Sequence, residues 1–179
     1  MTKRPAALTG TAGVYYVAYQ LAARTFHAAV THGNAPTVDI LVALLDGAAT
    51  LSLQVKTSSW ARRTPKTKRA KRPDHYEWDI GQRSATLCRP DLFFALVDLK
   101  SRSGQPPDVF IIPSEVIFAA FNRPYFKSGK PRRWMYHPKA EEIECFKNDW
   151  DRLRTYLQEK SQTTKTDNSD SIGGGQDVG

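Results

Sequence analysis

The chain alternates apolar and polar residues on both sides of Asp46-Gly47, and this pattern limits the fold more than any other feature. Val38–Leu45 and Ala49–Thr57 read as two strands. Asp-Gly between alternating apolar positions is a strong signal for an antiparallel hairpin. If Asp46-Gly47 is a two-residue turn, Leu45 faces Ala48 and Asp39 falls opposite Gln54. A four-residue loop, Asp46–Ala49, sets Asp39 opposite Lys56 instead. Both loops have even length, so Asp39, Gln54 and Lys56 share one sheet face in either case. Side chains opposite or diagonal to one another on such a ladder lie about 5 to 8 Å apart. Val38, Ile40, Val42, Leu51, Leu53 and Val55 fall on the other face, which is purely apolar.

A carboxylate, an amide oxygen and an ammonium gathered in this way suit a hard cation and a charge stabiliser. Asp39 and Gln54 are candidate oxygen ligands for Mg²⁺ (or Mn²⁺), which keeps several waters and takes further oxygens from phosphate. Lys56 is a candidate for holding an attacking water or developing negative charge. The same Ser-x-Gln-x-Lys alternation is also the ordinary pattern of a half-exposed strand, so spacing alone leaves both readings open.

Around this hairpin the sequence predicts a mixed α/β domain. Ala12–Phe26 carries Val14, Val17, Ala18, Leu21 and Ala22 on one helical stripe, with Gly10 and Gly13 at its start. Ala28–Val30 is a short strand before a turn over 32–36. Leu92–Leu99 and Val109–Ile112 are apolar runs suited to buried strands. Ser114 is placed to cap a helix through Phe121. Ile143, Phe146, Trp150, Leu153 and Leu157 predict one helix over Glu141–Glu159. The domain is expected to occupy 1–160. The polar segment 161–179 has too little apolar surface to order itself and is expected to be disordered.

With 179 residues, the chain suits one domain with a real core. No apolar run nears the roughly 18 residues of a membrane span, and no secretory signal is evident. Cys88 and Cys145 pair with no histidine at ligand spacing and read as reduced thiols, so a cytoplasmic location is expected. His27, His32, His75 and His137 are scattered, and we expect structural or surface roles for them.

The formal net charge is +8, and setting aside a 161–179 segment of net −2 leaves a body of +10. Such a body favours polyanionic partners, nucleic acid before membrane. Arg62, Arg63, Lys66, Lys68, Arg69, Lys71 and Arg72 set seven cations within eleven residues, just after the candidate strand. They are candidate phosphate contacts. Tyr125, Phe126, Trp134 and Tyr136 interleave with cations and can stack on bases, although such aromatics more often tuck into a core.

Gly10-x-x-Gly13 at a helix, then Val38-Asp39-Ile40-Leu41-Val42, then Leu53-Gln54-Val55-Lys56-Thr57, resembles the PD-(D/E)XK nuclease superfamily. Small bacterial members and Holliday-junction-resolvase-like members are especially similar. The resemblance covers about residues 8 to 60 by motif, and continues more loosely through Leu92 and Val109–Glu115. It implies a restriction-endonuclease-like core, a mixed central β-sheet flanked by helices. It also implies a metal-dependent endonuclease hydrolysing phosphodiester bonds in DNA, with Asp39 and Gln54 on Mg²⁺ and Lys56 assisting water attack. Nucleases of this type often act as homodimers.

Two departures stand out. Gln54 replaces the second acid, as in the Gln-x-Lys version found in modification-dependent restriction enzymes of the superfamily. Where the family often has Gly-Glu in the first helix, this chain has Gly13-Val14, and no Asp or Glu precedes Asp39. A degenerate nuclease fold that binds nucleic acid without cutting it is therefore the alternative, with a basic protein-interaction module as a third reading. Glu77 and Asp79 are the later acids that could compensate.

Overall fold

The computed structural model describes the chain except residues 1–4, 32–36, 65–72, 102, 129–130 and 171–179; for 127 and 164–170 it describes the backbone alone. In chain order the elements are α1 (Ala6–Ala22), β1 (His27–Val30), β2 (Ile40–Ala43), β3 (Thr50–Ser58), β4 (Arg62–Arg63), β5 (His75–Tyr76) and β6 (Trp78–Asp79). There follow α2 (Gln82–Ala85), β7 (Leu92–Asp98), β8 (Asp108–Pro113), α3 (Ser114–Phe121), α4 (Pro124–Lys127), β9 (Met135–Tyr136), α5 (Ala140–Ile143) and α6 (Asp151–Asp170).

Five strands form the central sheet in the order β1-β2-β3-β7-β8. β3 and β7 run parallel and the other neighbours antiparallel. This is the mixed, helix-flanked α/β sheet that the apolar runs predict. β7 is an interior strand, buried along its whole length, which explains why Leu92–Asp98 shows no alternation: both of its faces meet a core. On one face, α1 brings Val17 and Leu21, and α6 with the preceding Trp150 brings Leu153 and Leu157, onto Ile40, Leu53 and Val55. On the other, Tyr76, Trp78, Ile80, Ile117 and Phe121 pack over Phe94, Leu96, Phe110 and Ile112. Among the described residues no helix is long and apolar enough to cross a membrane.

Several local expectations shift. α1 begins at Ala6, so Gly10 and Gly13 lie inside it rather than at its start. A Cβ on Gly13 would sit 1.9 Å from Thr57 Oγ1, so this residue lets the helix backbone press onto β3. Ser114 does not cap α3. Its buried hydroxyl donates to the Arg89 carbonyl at 2.7 Å and accepts the Arg89 N–H at 2.9 Å, tying the start of α3 to the turn before β7.

The single helix expected over Glu141–Glu159 is two helices. The edge strand β8 interrupts it: Asn148 N–H donates to the Val109 carbonyl at 2.6 Å, and Lys147 bridges Phe110. Asn148 takes a positive φ of 53° at the break, a conformation asparagine tolerates better than most residues. The break carries the chain across the sheet. Ile143 and Phe146 join the β7–β8 face, while Trp150, Leu153 and Leu157 join the α1 face. α6 also continues through Asp170, into the segment that composition marks as disordered, with Ser161 buried and bonded to the Leu157 carbonyl. The turn expected over 32–36 lies outside the described residues.

Candidate active site

The β2–β3 ladder pairs Ile40 with Leu53 and Ala43 with Thr50, the register that a two-residue Asp46-Gly47 turn requires. The connection itself is wider. Gly47 N–H bonds to the Leu44 carbonyl at 3.0 Å, Asp46 Oδ1 accepts the Ala48 N–H at 3.2 Å, and Gly47 has φ +64°. Gln54 and Lys56 keep the alternation of β3, and Asp39, beyond the last ladder pair, lines the same cavity.

Asp39 lies where the regular ladder ends. Its N–H donates to the Leu53 carbonyl at 2.8 Å, although Leu53 already pairs with Ile40. Two residues of one strand thus face one of the other, the arrangement of a β-bulge, which turns a side chain out of the regular alternation. The Val38 carbonyl is engaged instead by the Thr31 hydroxyl at 2.6 Å. Val55 N–H consequently finds its acceptor in the Asp39 carboxylate: Oδ2 takes that bond at 2.7 Å and a second from Gln54 Nε2 at 2.6 Å. Both bonds fall on Oδ2, which leaves Oδ1 for another partner.

Gln54 is 6% exposed, and its Oε1 is buried without a hydrogen-bond donor. A buried acceptor left in that state costs about 1–3 kcal/mol. Lys56 is half-buried on the same strand. Burial pushes its ammonium below the ordinary value of 10.5, while the Asp39 and Asp79 carboxylates pull it back up. These residues line one cavity of about 430 Å³ together with Gly10, Thr11, Val14, Tyr15, Val30 and Thr31. α1 therefore forms a wall of the cavity and contributes no acid to it.

The cost of burying Lys56 has a testable sign. Because the folded-state pKa is depressed, the penalty is in force at neutral pH and fades as pH rises toward 10.5. Lys56→Met is therefore expected to raise Tm at pH 7, with the gain over the parent shrinking in melts taken at increasing alkaline pH. A Tm that falls at pH 7 would show that the charge pairs of Lys56 outweigh its desolvation.

Of the later acids, Asp79 is near enough to act on Lys56 electrostatically, whereas Glu77 is occupied elsewhere. Arg62 and Arg63 form β4. Arg62 is exposed and lies over the Tyr76 ring at 5.9 Å. Arg63 is tied to Glu77 at 3.0 Å and to the Trp60 carbonyl. Lys66, Lys68, Arg69, Lys71 and Arg72 lie outside the described residues. The aromatic segment packs inward: Phe126 and Trp134 stand 4.8 and 5.6 Å from the Phe121 ring, and only Tyr125 of the group is exposed. Asp91 is held by Arg89 at 2.6 Å in the turn before β7, apart from the cavity. Cys88 and Cys145 are free and exposed.

One cluster escaped the sequence reading. His75 and His137 lie far apart in the chain but meet around Glu77, with all three potential ligand atoms within 4.8 Å of one another. The pairing of β6 with β9 and the bridge between His75 and Lys139 bring them together, and no linear spacing signals it.

The chain matches no protein-family model and no curated protein sequence. Among solved structures it is similar to a bacterial homing endonuclease, I-Ssp6803I, over 92% of this chain and 99% of that one. The TM-score is 0.55 at 13% sequence identity. The fold is endonuclease-like. At that identity the likeness extends to the arrangement of helices and strands, and the chemistry rests on the side chains in the cavity.

Proposed function

We propose that the chain is a divalent-metal-dependent DNA endonuclease of the PD-(D/E)XK type, with Asp39, Gln54 and Lys56 as its reacting set. The observation that carries this reading is their convergence in one cavity; Gln54 Oε1 is in addition a buried acceptor with no donor. Such an atom fits a cation as its partner, and Asp39 Oδ1 adds a charged oxygen of the type Mg²⁺ or Mn²⁺ prefers. Joint binding requires the Gln54 amide to turn so that Oε1 rather than Nε2 faces the carboxylate, exchanging the present bond to Asp39 for a ligand bond.

When bound, the cation would neutralise phosphate charge and lower the pKa of a water suited to attack phosphorus. Asp39 holds the site in register through Val55 N–H. Lys56, kept poorly solvated beside two carboxylates, is suited to hydrogen-bond the attacking water or the charge that develops on the phosphate oxygens. Asp79 is the acid that could supplement the missing helix carboxylate. Arg62 and the cation-rich stretch of sequence that follows it supply phosphate affinity, and action as a homodimer would allow both strands to be cut.

One observation favours a second reading. The α1 wall of the cavity carries Gly10, Thr11, Val14 and Tyr15 and no carboxylate, so a single formal negative charge from Asp39 faces the cation beside Lys56. A fold that binds DNA without cutting it follows if that charge is too little.

The deciding experiment is cleavage of plasmid, linear duplex, single-stranded and branched DNA at low salt with Mg²⁺ or Mn²⁺. Cutting that is lost in both Asp39→Ala and Lys56→Ala supports the nuclease. Salt-sensitive binding with no cutting of any substrate supports the binding module. Arg62→Ala is expected to reduce the slope of log K against log salt by about 1, the signature of one lost phosphate contact. An unchanged slope would remove Arg62 from the interface.

A further inference from the structure

We propose that His75, Glu77 and His137 form a binding site for a zinc-class divalent transition-metal ion where the β4–β5 and β6–β9 pairs meet, separate from the Asp39 cavity. Two imidazoles and one carboxylate are a donor set that zinc accepts with a fourth position left open. Nitrogen donors disfavour Mg²⁺, which demands oxygen. None of the three residues lines the Asp39 cavity.

The geometry is close to what an ion needs. His75 Nε2 is 3.8 Å and His137 Nδ1 is 3.5 Å from the same Glu77 oxygen, Oε1. Ligands about 2.0–2.1 Å from a tetrahedral zinc stand about 3.3 Å from one another, so those two separations close with small side-chain rotations. The two rings face each other at 6.4 Å between centroids, inclined by 29°. All three side chains are part-exposed, at 22%, 29% and 48% for His75, Glu77 and His137, so an ion can reach them.

The surroundings are those of a built site. Asp74 Oδ1 lies 2.7 Å from His75 Nδ1. A carboxylate there holds the proton on Nδ1 and leaves the Nε2 lone pair directed away, toward Glu77, as in the carboxylate–histidine–metal arrangement. Arg63 binds Glu77 through the other carboxylate oxygen, Oε2, at 3.0 Å, so Oε1 stays available.

Each ligand comes from a different place in a composite of two small sheets. His75 is in β5, Glu77 joins β5 to β6, and His137 follows β9. A bound ion would cross-link the β4–β5 and β6–β9 pairs, reinforcing the Tyr76 N–H to Pro138 carbonyl bond at 3.0 Å that now joins them. It would thereby stiffen the strand pair that carries Arg62 and Arg63.

The test uses the full chain, stripped with chelator, titrated with Zn²⁺ by calorimetry and with Co²⁺ by visible absorption. One equivalent of Zn²⁺ per chain, intense Co²⁺ bands of a low-coordinate site and a raised Tm on zinc addition are expected. His137→Ala and Glu77→Gln should abolish the Co²⁺ bands. Asp74→Asn, a change at an exposed residue outside the ligand set, should weaken Zn²⁺ affinity about 10-fold or more. Asp39→Asn should leave both metals unaffected, which separates this site from the proposed reacting one. Absence of stoichiometric uptake overturns the proposal, as does uptake that survives His137→Ala or disappears in Asp39→Asn.

Discussion

Asp39→Asn is expected to lower DNA cleavage by about 10³-fold or more, the scale set by losing several kcal/mol of charge stabilisation at the phosphate. Asparagine keeps the shape of the side chain and an oxygen able to accept from Val55 N–H or Gln54 Nε2, so Tm should move by only a few degrees. Asp39→Ala should remove activity and stability together. It leaves the Val55 N–H and the buried Gln54 amide, both now bonded to Oδ2, without their acceptor. Each orphaned group costs about 1–3 kcal/mol, or about 2–4 °C of Tm per kcal/mol in a domain of this size. Cleavage kinetics and thermal melts on the two variants separate the roles. An Asp39→Asn protein that still cuts at the parental rate would remove Asp39 from the chemistry, leaving it as a cap on the β3 ladder.

Gly13→Ala is expected to destabilise the fold by about 1–3 kcal/mol, the usual cost of overpacking. A helix interior normally favours alanine over glycine by about 1 kcal/mol, so an ordinary solvent-facing site would gain from the change. Here the new methyl would stand 1.9 Å from Thr57 Oγ1 and 2.9 Å from Thr57 Cβ, and α1 must lift from β3. Because α1 walls the Asp39 cavity, cleavage should fall with stability. Truncating Thr57 in the same chain, Gly13→Ala with Thr57→Ala, should recover part of the loss, since two of the three clashing atoms, Oγ1 and Cγ2, are gone. Gly10→Ala is the control: nothing lies within 4 Å of its would-be Cβ, and it should be neutral or stabilising. A stabilised Gly13→Ala protein would mean that the helix can shift at little cost.

Local chemistry made much of this molecule readable. Period-two alternation needs only neighbouring residues to act, so the β2–β3 pairing follows from counting, while the choice between its two registers and the bulge at Asp39 needed the folded chain. The unbroken apolar run of β7 likewise marks a strand covered on both faces. Where long-range contacts compete with local preference, the reading loses its grip. The 3.6-residue repeat over Glu141–Glu159 is intact in the sequence, yet hydrogen bonds from the edge of β8 to Asn148 outbid the helix and send its two halves to opposite faces of the sheet. Gly10 and Gly13 look like a helix start because glycine is a poor helix former. Gly13 in fact serves a close approach to Thr57 that only the packed structure contains.

The same division runs through the sites. By itself the sequence determined the α/β class, the polar face of the central hairpin and the basic character of the chain, because each depends on residues adjacent in the chain or on simple sums. Tertiary structure alone decided that Asp39 caps the Val55 N–H from a bulge, that Gln54 Oε1 is buried without a donor, and that Asp79 rather than Glu77 lies near enough to act on Lys56 electrostatically. It also decided that His75 and His137 meet at Glu77. The physical reason is that burial, desolvation and ligand geometry are properties of three-dimensional neighbours, and for these residues the neighbours arrive from strands paired across the whole length of the chain.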